Sequence, residues 1–151
     1  MCLVLGLSVP SAWAKVSKAN KREAIAASIL ARSALDKRNY DMAVSLYMQA
    51  YKLDPGTLGY LFSAGRACHK SGKLADAETH YAKFLDKSGK TKSALVDKAR
   101  QYLLDVQSQQ KAELKRKLAA AEAKVEAIKT ADNEKAKAKT VEEAPKPALK
   151  E

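Results

Sequence analysis

The sequence is poor in the residues that typify sheets, disulfide frameworks and aromatic cores. Only 6% of its 151 residues are aromatic, and it has six glycines, four prolines and two cysteines. Helix breakers are therefore scarce, while Ala, Lys and Leu are abundant. Unbranched side chains of this kind lose little rotamer freedom on a helix. We therefore predict an all-α fold.

Charge is absent from residues 1–14, MCLVLGLSVPSAWA, whose apolar run is shorter than the roughly 20 residues that span a bilayer. The segment ends in Ala12-Trp13-Ala14, the small-x-small pattern of signal-peptidase sites, and Lys15 follows. We expect a secretory signal that is cleaved after Ala14, and a mature protein that is periplasmic or secreted. Because no basic residue precedes the apolar run, the alternative of an apolar start on a cytoplasmic protein stays open.

Negative charge is in short supply. The chain has 28 Lys and Arg against 17 Asp and Glu, a net charge of +11. Residues 15–106 hold 17 of these basic residues against 9 acidic ones, a net charge of +8, and residues 107–151 hold 11 against 8, a net charge of +3. Such a balance favours acidic proteins or anionic surfaces as partners, and it carries no information about the fold.

Residue types recur along the chain at a spacing of 34. Repetition at this interval is typical of solenoids built from helix pairs. Each repeating segment supplies a helix, a short polar turn and a second helix. The matching positions are Ala43 and Ala77, Tyr47 and Tyr81, and Arg32, Arg66 and Arg100.

Residues 38–55, RNYDMAVSLYMQAYKLDP, resemble the second helix of a tetratricopeptide repeat. The resemblance assigns a domain to residues 21–106, with repeats at about 24–57 and 58–91 and a capping helix from residue 92. It implies a short α-α superhelix of the tetratricopeptide type. The positions that carry it are Ala43, Tyr47, Ala50, Pro55, Gly65, Ala77, Tyr81, Ala99 and Tyr102.

Within these helices the pattern predicts which side chains fill the core. Small residues such as Ala43 and Gly65 let helices approach closely, and Leu61 and Leu95 are expected to fill the spaces between them. The first helix offers Leu30 followed by the small Ala31, where the repeat has a large and then a small residue.

Helix-breaking residues are also missing from Lys92 to Thr130, which predicts a long helix that includes an extension over residues 107–130. Its apolar positions from 114 to 128 are spaced by 4, 3, 4 and 3, as in a coiled-coil seam. The seam is short, so both a homodimer through 114–128 and a single solvated helix stay open. Residues 131–151 have few bulky apolar side chains, and we expect a disordered basic tail able to contact an anionic surface.

The first helices of tetratricopeptide arrays line a concave groove, so the resemblance implies a ligand surface. On it we expect Arg32, Arg66 and Arg100, whose planar donor forks suit carboxylates, flanked by Phe62, His69 and Val96. The expected function is that of a non-enzymatic adaptor that binds an acidic or carboxylate-bearing peptide or protein. The alternative is that the arginines only cover helix surfaces and pair with Asp36, Asp97 or Glu78.

No residue pattern predicts catalysis, a cofactor, a metal or a small-molecule substrate. Cys68 and His69 are adjacent, so on a helix they point about 100° apart, and His80 is expected on a solvated face. Phosphate-binding loops and zinc-protease motifs are missing. Export would keep the chain away from nucleic acid, whereas a cytosolic location would favour the alternative of a basic nucleic-acid- or ribosome-associated protein.

Overall fold

The computed structural model describes residues 16–142, which form five α-helices and no strand. The helices are α1 (Lys18–Asp36), α2 (Tyr40–Leu53), α3 (Gly59–Lys70), α4 (Leu74–Ser88) and α5 (Ala94–Glu142). The predicted all-α fold is confirmed for this range. The signal-like segment 1–14 and residues 143–151 of the tail lie outside the described residues. The chain divides into two units, Met1–Gln107 and Ser108–Glu151.

Side-chain caps fix where three of the helices begin. The Ser17 hydroxyl accepts a hydrogen bond from the Asn20 amide at 3.0 Å, and the Asn39 side chain accepts one from the Met42 amide at 3.3 Å. Ser93 plays the same part at the start of α5. These side chains satisfy amide groups that have no partner within the first helical turn.

The two turns inside the helix pairs have the same geometry, one repeat apart. Each passes through a residue with positive φ, Arg38 at +60° and Gly72 at +77°. Each is also closed by an equivalent backbone hydrogen bond. The bonded atoms are Asn39 N and Ala34 O at 2.8 Å in the first turn, and Lys73 N and Cys68 O at 3.0 Å in the second. The spacing of 34 seen in the sequence is therefore present in the backbone.

Successive helices pack against one another in the Met1–Gln107 unit, with α1 on α2, α2 on α3 and α3 on α4. The beginning of α5 adds Val96, Ala99 and Val106 to the cluster that contains Leu61 and Tyr81. Small residues allow the close approach of these helices, since each alanine of the repeat pattern is fully buried. These alanines are Ala43, Ala50, Ala77 and Ala99.

Two leucines predicted to fill the core are exposed, which corrects the expectation. Leu30 of α1 is 58% exposed and Leu95 of α5 is 36% exposed. The residue 34 positions after Leu30 is Ala64 of α3, which packs against α1 and α2. Among the described residues no helix precedes α1 and none follows α5, so no further helix covers either leucine.

The end of the long helix also differs from the prediction. We expected a disordered tail from residue 131, but α5 continues without a break to Glu142. Residues 131–142 contain no proline or glycine and consist largely of Ala, Lys and Glu, which favour helices. The first residue that cannot continue a helix is Pro145. None of the helices in residues 16–142 is both long and apolar enough to cross a membrane.

Candidate functional site

Arginines recur at a spacing of 34 residues on the helices α1, α3 and α5. Arg32 of α1 is exposed and Arg66 of α3 is half-buried. Within the part of the chain that the structure describes, neither forms an ion pair or a side-chain hydrogen bond. Arg100 of α5 lies 3.2 Å from Asp97, and both side chains are more than half exposed. Two of the three guanidinium groups therefore have unused donors.

The three carboxylates considered as partners for these arginines differ, and Asp36 forms no ion pair with an arginine within residues 16–142. Only Asp97 pairs with an arginine, and an exposed pair three residues apart contributes little to stability. Glu78 instead accepts a hydrogen bond from Gln107 at 2.9 Å, which ties α4 to α5. Surface pairing therefore accounts for Arg100 and not for Arg32 or Arg66.

Two exposed isoleucines lie on the same face of α1 as Arg32, and the predicted ligand surface did not include them. Ile25 is 54% exposed and Ile29 is 63% exposed. With Arg32 they are spaced by four and three residues, which places all three side chains on one side of the helix. That spacing is visible in the sequence. Leu104 of α5, four residues after Arg100, is exposed as well. The arginine positions therefore have apolar neighbours.

Two residues expected beside the arginines belong to the core instead. Phe62 is 6% exposed and Val96 is 2% exposed. The Phe62 ring stacks on Tyr102 with centroids 5.9 Å apart and planes 15° apart, and it also contacts Tyr81 and Phe84. We therefore assign Phe62 and Val96 to packing between helices and not to a ligand surface.

His69 lies at the junction of α3 and α5. Its Nε2 is 3.4 Å from Oδ2 of Asp105, and its ring meets the Tyr81 and Tyr102 rings edge-on. Tyr81 is fully buried, and its hydroxyl has no hydrogen-bond partner among the described residues. Burial, with a smaller effect of Tyr102, raises the pKa of Tyr81, so the phenol stays protonated. This aromatic junction lies beneath the face that carries Arg66.

Cys68 and His80 are at least partly shielded from solvent. Cys68 is 1% exposed, and burial raises the pKa of its thiol to about 11, so little thiolate exists at neutral pH. His80 is half-buried, which corrects the expectation that it lies on a solvated face. Its Nδ1 has no partner within residues 16–142, and burial lowers its pKa. The described residues contain no group of three His, Cys, Asp or Glu side chains placed to hold a metal ion.

Comparison with known proteins does not assign the chain to a family. No protein-family model and no curated protein sequence matches it. The choice of a function therefore depends on the arrangement of the helices and on the side chains that they expose.

Proposed function

We propose that the chain is a non-enzymatic adaptor of the tetratricopeptide type. Helices α1–α2 and α3–α4 are its two repeats, and the start of α5 is its cap. The observation that supports this assignment is the repetition of one turn geometry at a spacing of 34, with Arg38 and Gly72 at equivalent points. Small buried residues recur at the same interval, as close packing of repeated helix pairs requires.

The ligand that we propose is an acidic or carboxylate-bearing peptide, bound on the face of α1, α3 and α5 that carries the arginines. Arg66 supports this choice most directly, because it is half-buried and has no acceptor among the described residues. A partly desolvated guanidinium without an acceptor is unfavourable, and a bound carboxylate would satisfy it through two parallel hydrogen bonds. Ile25 and Ile29 offer an apolar contact beside Arg32.

The proposal includes export to the periplasm or the exterior. Its support is the sequence of residues 1–14, which ends in Ala12-Trp13-Ala14. Sequencing the N-terminus of the protein purified from its host tests this part. A mature chain that begins at Lys15 is the expected result, and a cytosolic chain that retains Met1 contradicts it.

Affinity capture from the native host, with mass spectrometry, identifies the partner, and variants then test the site. Arg66→Glu is expected to weaken binding by at least about ten-fold, since it replaces a donor fork by a repelling charge. Arg32→Glu is expected to weaken it less, because Arg32 is more exposed than Arg66 and better screened. Lys52→Glu makes the same change of charge at an exposed position of α2, a helix that carries none of the three arginines, and serves as the control.

Fluorescence anisotropy with a labelled acidic segment of the captured partner measures these affinities at several salt concentrations. Far-ultraviolet circular dichroism confirms that helical content is unchanged, and Arg66→Gln replaces Arg66→Glu if it is not. Equal losses for Arg66→Glu and Lys52→Glu would show that only net charge matters. Capture of RNA in place of a protein would favour the nucleic-acid alternative.

A further inference from the structure

The second half of α5 exposes a narrow apolar seam, defined by Leu114, Leu118, Val125 and Ile128. Their exposed fractions are 68%, 59%, 52% and 61%. Together with Ala121 they follow the 4, 3, 4, 3 spacing of the a and d positions of a coiled coil. The seam ends at polar residues, because the next a positions on either side are Lys111 and Asp132. At a rise of 1.5 Å per residue, the distance from Leu114 to Ile128 is about 21 Å.

The positions on either side of the seam, called e and g in a coiled coil, are strongly basic. They are Lys115, Lys117, Glu122, Lys124 and Lys129, of which only one is acidic. Residues at e and g face the corresponding residues of a partner helix and determine which partner is accepted. A seam flanked in this way attracts a helix whose own flanking positions are acidic.

The same charges disfavour a second copy of this chain as the occupant. In a parallel pair the g residue of one helix meets the e residue of the next heptad on the other. Lys117 would then face Glu122 of the other copy, but Lys124 would face Lys129. One attractive contact is offset by one repulsive contact, and Ala121 at the centre of the seam contributes little packing. A parallel pair of this chain therefore gains nothing from the flanking charges.

A membrane surface fits the seam less well than a helix does. Interfacial helices bury a broad apolar face that is commonly rich in Trp, Phe and Leu. Residues 107–135 contain no aromatic residue, and their large apolar side chains are confined to the a and d positions. A stripe limited to these positions has the width of a helix-to-helix seam.

We infer that the Leu114–Ile128 seam of α5 is a docking surface for an acidic amphipathic helix of another protein. This second surface is separate in sequence from the arginine positions, which all lie in the Met1–Gln107 unit, whereas the seam lies in Ser108–Glu151. An adaptor would in this way hold two acidic partners, one as a peptide on the repeats and one as a helix on α5.

The test uses the full chain and two synthetic three-heptad peptides. Both carry Leu and Ile at their a and d positions, and one has Glu at every e and g position while the other has Lys. Fluorescence anisotropy is expected to show the Glu-flanked peptide binding at least about ten-fold more tightly at low salt, with the difference shrinking as salt is added. Equal binding of the two peptides, or no binding of either, overturns the proposal.

Matched variants identify the binding surface. Leu118→Asp with Val125→Asp is expected to reduce binding of the Glu-flanked peptide by at least about ten-fold. Ala120→Asp with Ala127→Asp adds the same charge at the same spacing but off the seam, and it is expected to bind within about three-fold of the unmodified chain. Equal losses in the two pairs would overturn the assignment to the seam.

A variant that gains binding controls for the possibility that the other variants only lose helical structure. Lys117→Glu with Lys124→Glu is expected to transfer the preference to the Lys-flanked peptide, and an unchanged preference contradicts the proposal. Sedimentation of the chain alone and flotation with phosphatidylserine vesicles complete the test. A dimer that dissociates when Leu118→Asp and Val125→Asp are introduced would assign the seam to a second copy and overturn the proposal. Vesicle binding without peptide binding would assign it to a membrane and overturn the proposal as well.

Discussion

Two helices, α3 and α4, approach closely at a single glycine. A Cβ atom on Gly65 of α3 would lie 2.8 Å from Cδ1 and Cε1 of Tyr81 on α4. The Tyr81 ring cannot withdraw, because it is fully buried and its centroid lies 5.8 Å from those of both Phe62 and Tyr102. Glycine is therefore required at this position because there is no room for a Cβ atom, and not because of the backbone conformation.

Replacing Gly65 by alanine is expected to lower the free energy of unfolding by about 1–3 kcal/mol, the usual cost of overpacking. The gain in helix propensity, up to about 1 kcal/mol, opposes part of this loss. Gly59→Ala is the matched control on the same helix, since a Cβ at Gly59 meets nothing within 4 Å. That change is expected to be neutral or slightly stabilising. Urea denaturation of both variants measures the difference, and equal effects would show that Tyr81 can move aside.

The elements at the two ends of the helical array differ from those in the middle. α1 buries only four side chains, and all are alanines: Ala24, Ala27, Ala31 and Ala34. Three of its large apolar residues, Ile25, Ile29 and Leu30, face solvent, and Leu35 is only partly buried. α3 has neighbours on both sides and buries Leu61, Phe62 and Cys68. Because burial of large side chains supplies most of the stability of a helix in a protein, α1 is the weakly held element.

Hydrogen exchange is expected to reveal this weakness. Amides in the second half of α1, around Ala31, should exchange through openings that cost about 2–3 kcal/mol less than those near Ala67 of α3. Ile29→Ala should change the stability by less than about 0.5 kcal/mol, because the side chain is 63% exposed. Leu61→Ala, at a fully buried leucine, should cost about 2–5 kcal/mol. Equal protection of the two helices would contradict the description of α1.

The lack of neighbouring helices at the two ends of the array also limits what could be predicted from the sequence. The turns and the small buried residues follow from local rules, so the helix pairs and positions such as Ala43 and Ala77 were predictable. The exposure of Leu95 was not predictable, because the repeat pattern assumes a following helix that the described part of the chain lacks. The burial of Val96, one residue later, shows that α5 presents a different side to the core than the pattern implied. Among site residues, Ile25 and Ile29 were predictable from their spacing to Arg32.

The molecule as a whole concentrates its core in one unit. Every buried hydrophobic residue among those described lies at or before Val106, and the Met1–Gln107 unit ends immediately after it. The unit thus includes the beginning of α5, whose Val96 and Val106 are almost fully buried. From Lys111 to Lys135 every described side chain is exposed. The stability of the fold should therefore depend on the first four turns of α5 and not on the remainder.

Two truncations test this division of α5. A chain that ends at Gln107 should keep a cooperative urea transition with a free energy of unfolding within about 1 kcal/mol of the full chain, because no buried side chain is removed. A chain that ends at Lys92 should lose at least about 3 kcal/mol, since burial of Val96 and Val106 contributes about 1.5–3 kcal/mol each and Tyr102 no longer covers the Phe62 ring. If the shorter chain were as stable as the longer one, the start of α5 would not be part of the core. If the chain ending at Gln107 unfolded, the exposed half of α5 would be needed for the fold, and its side chains could not be reserved for a partner.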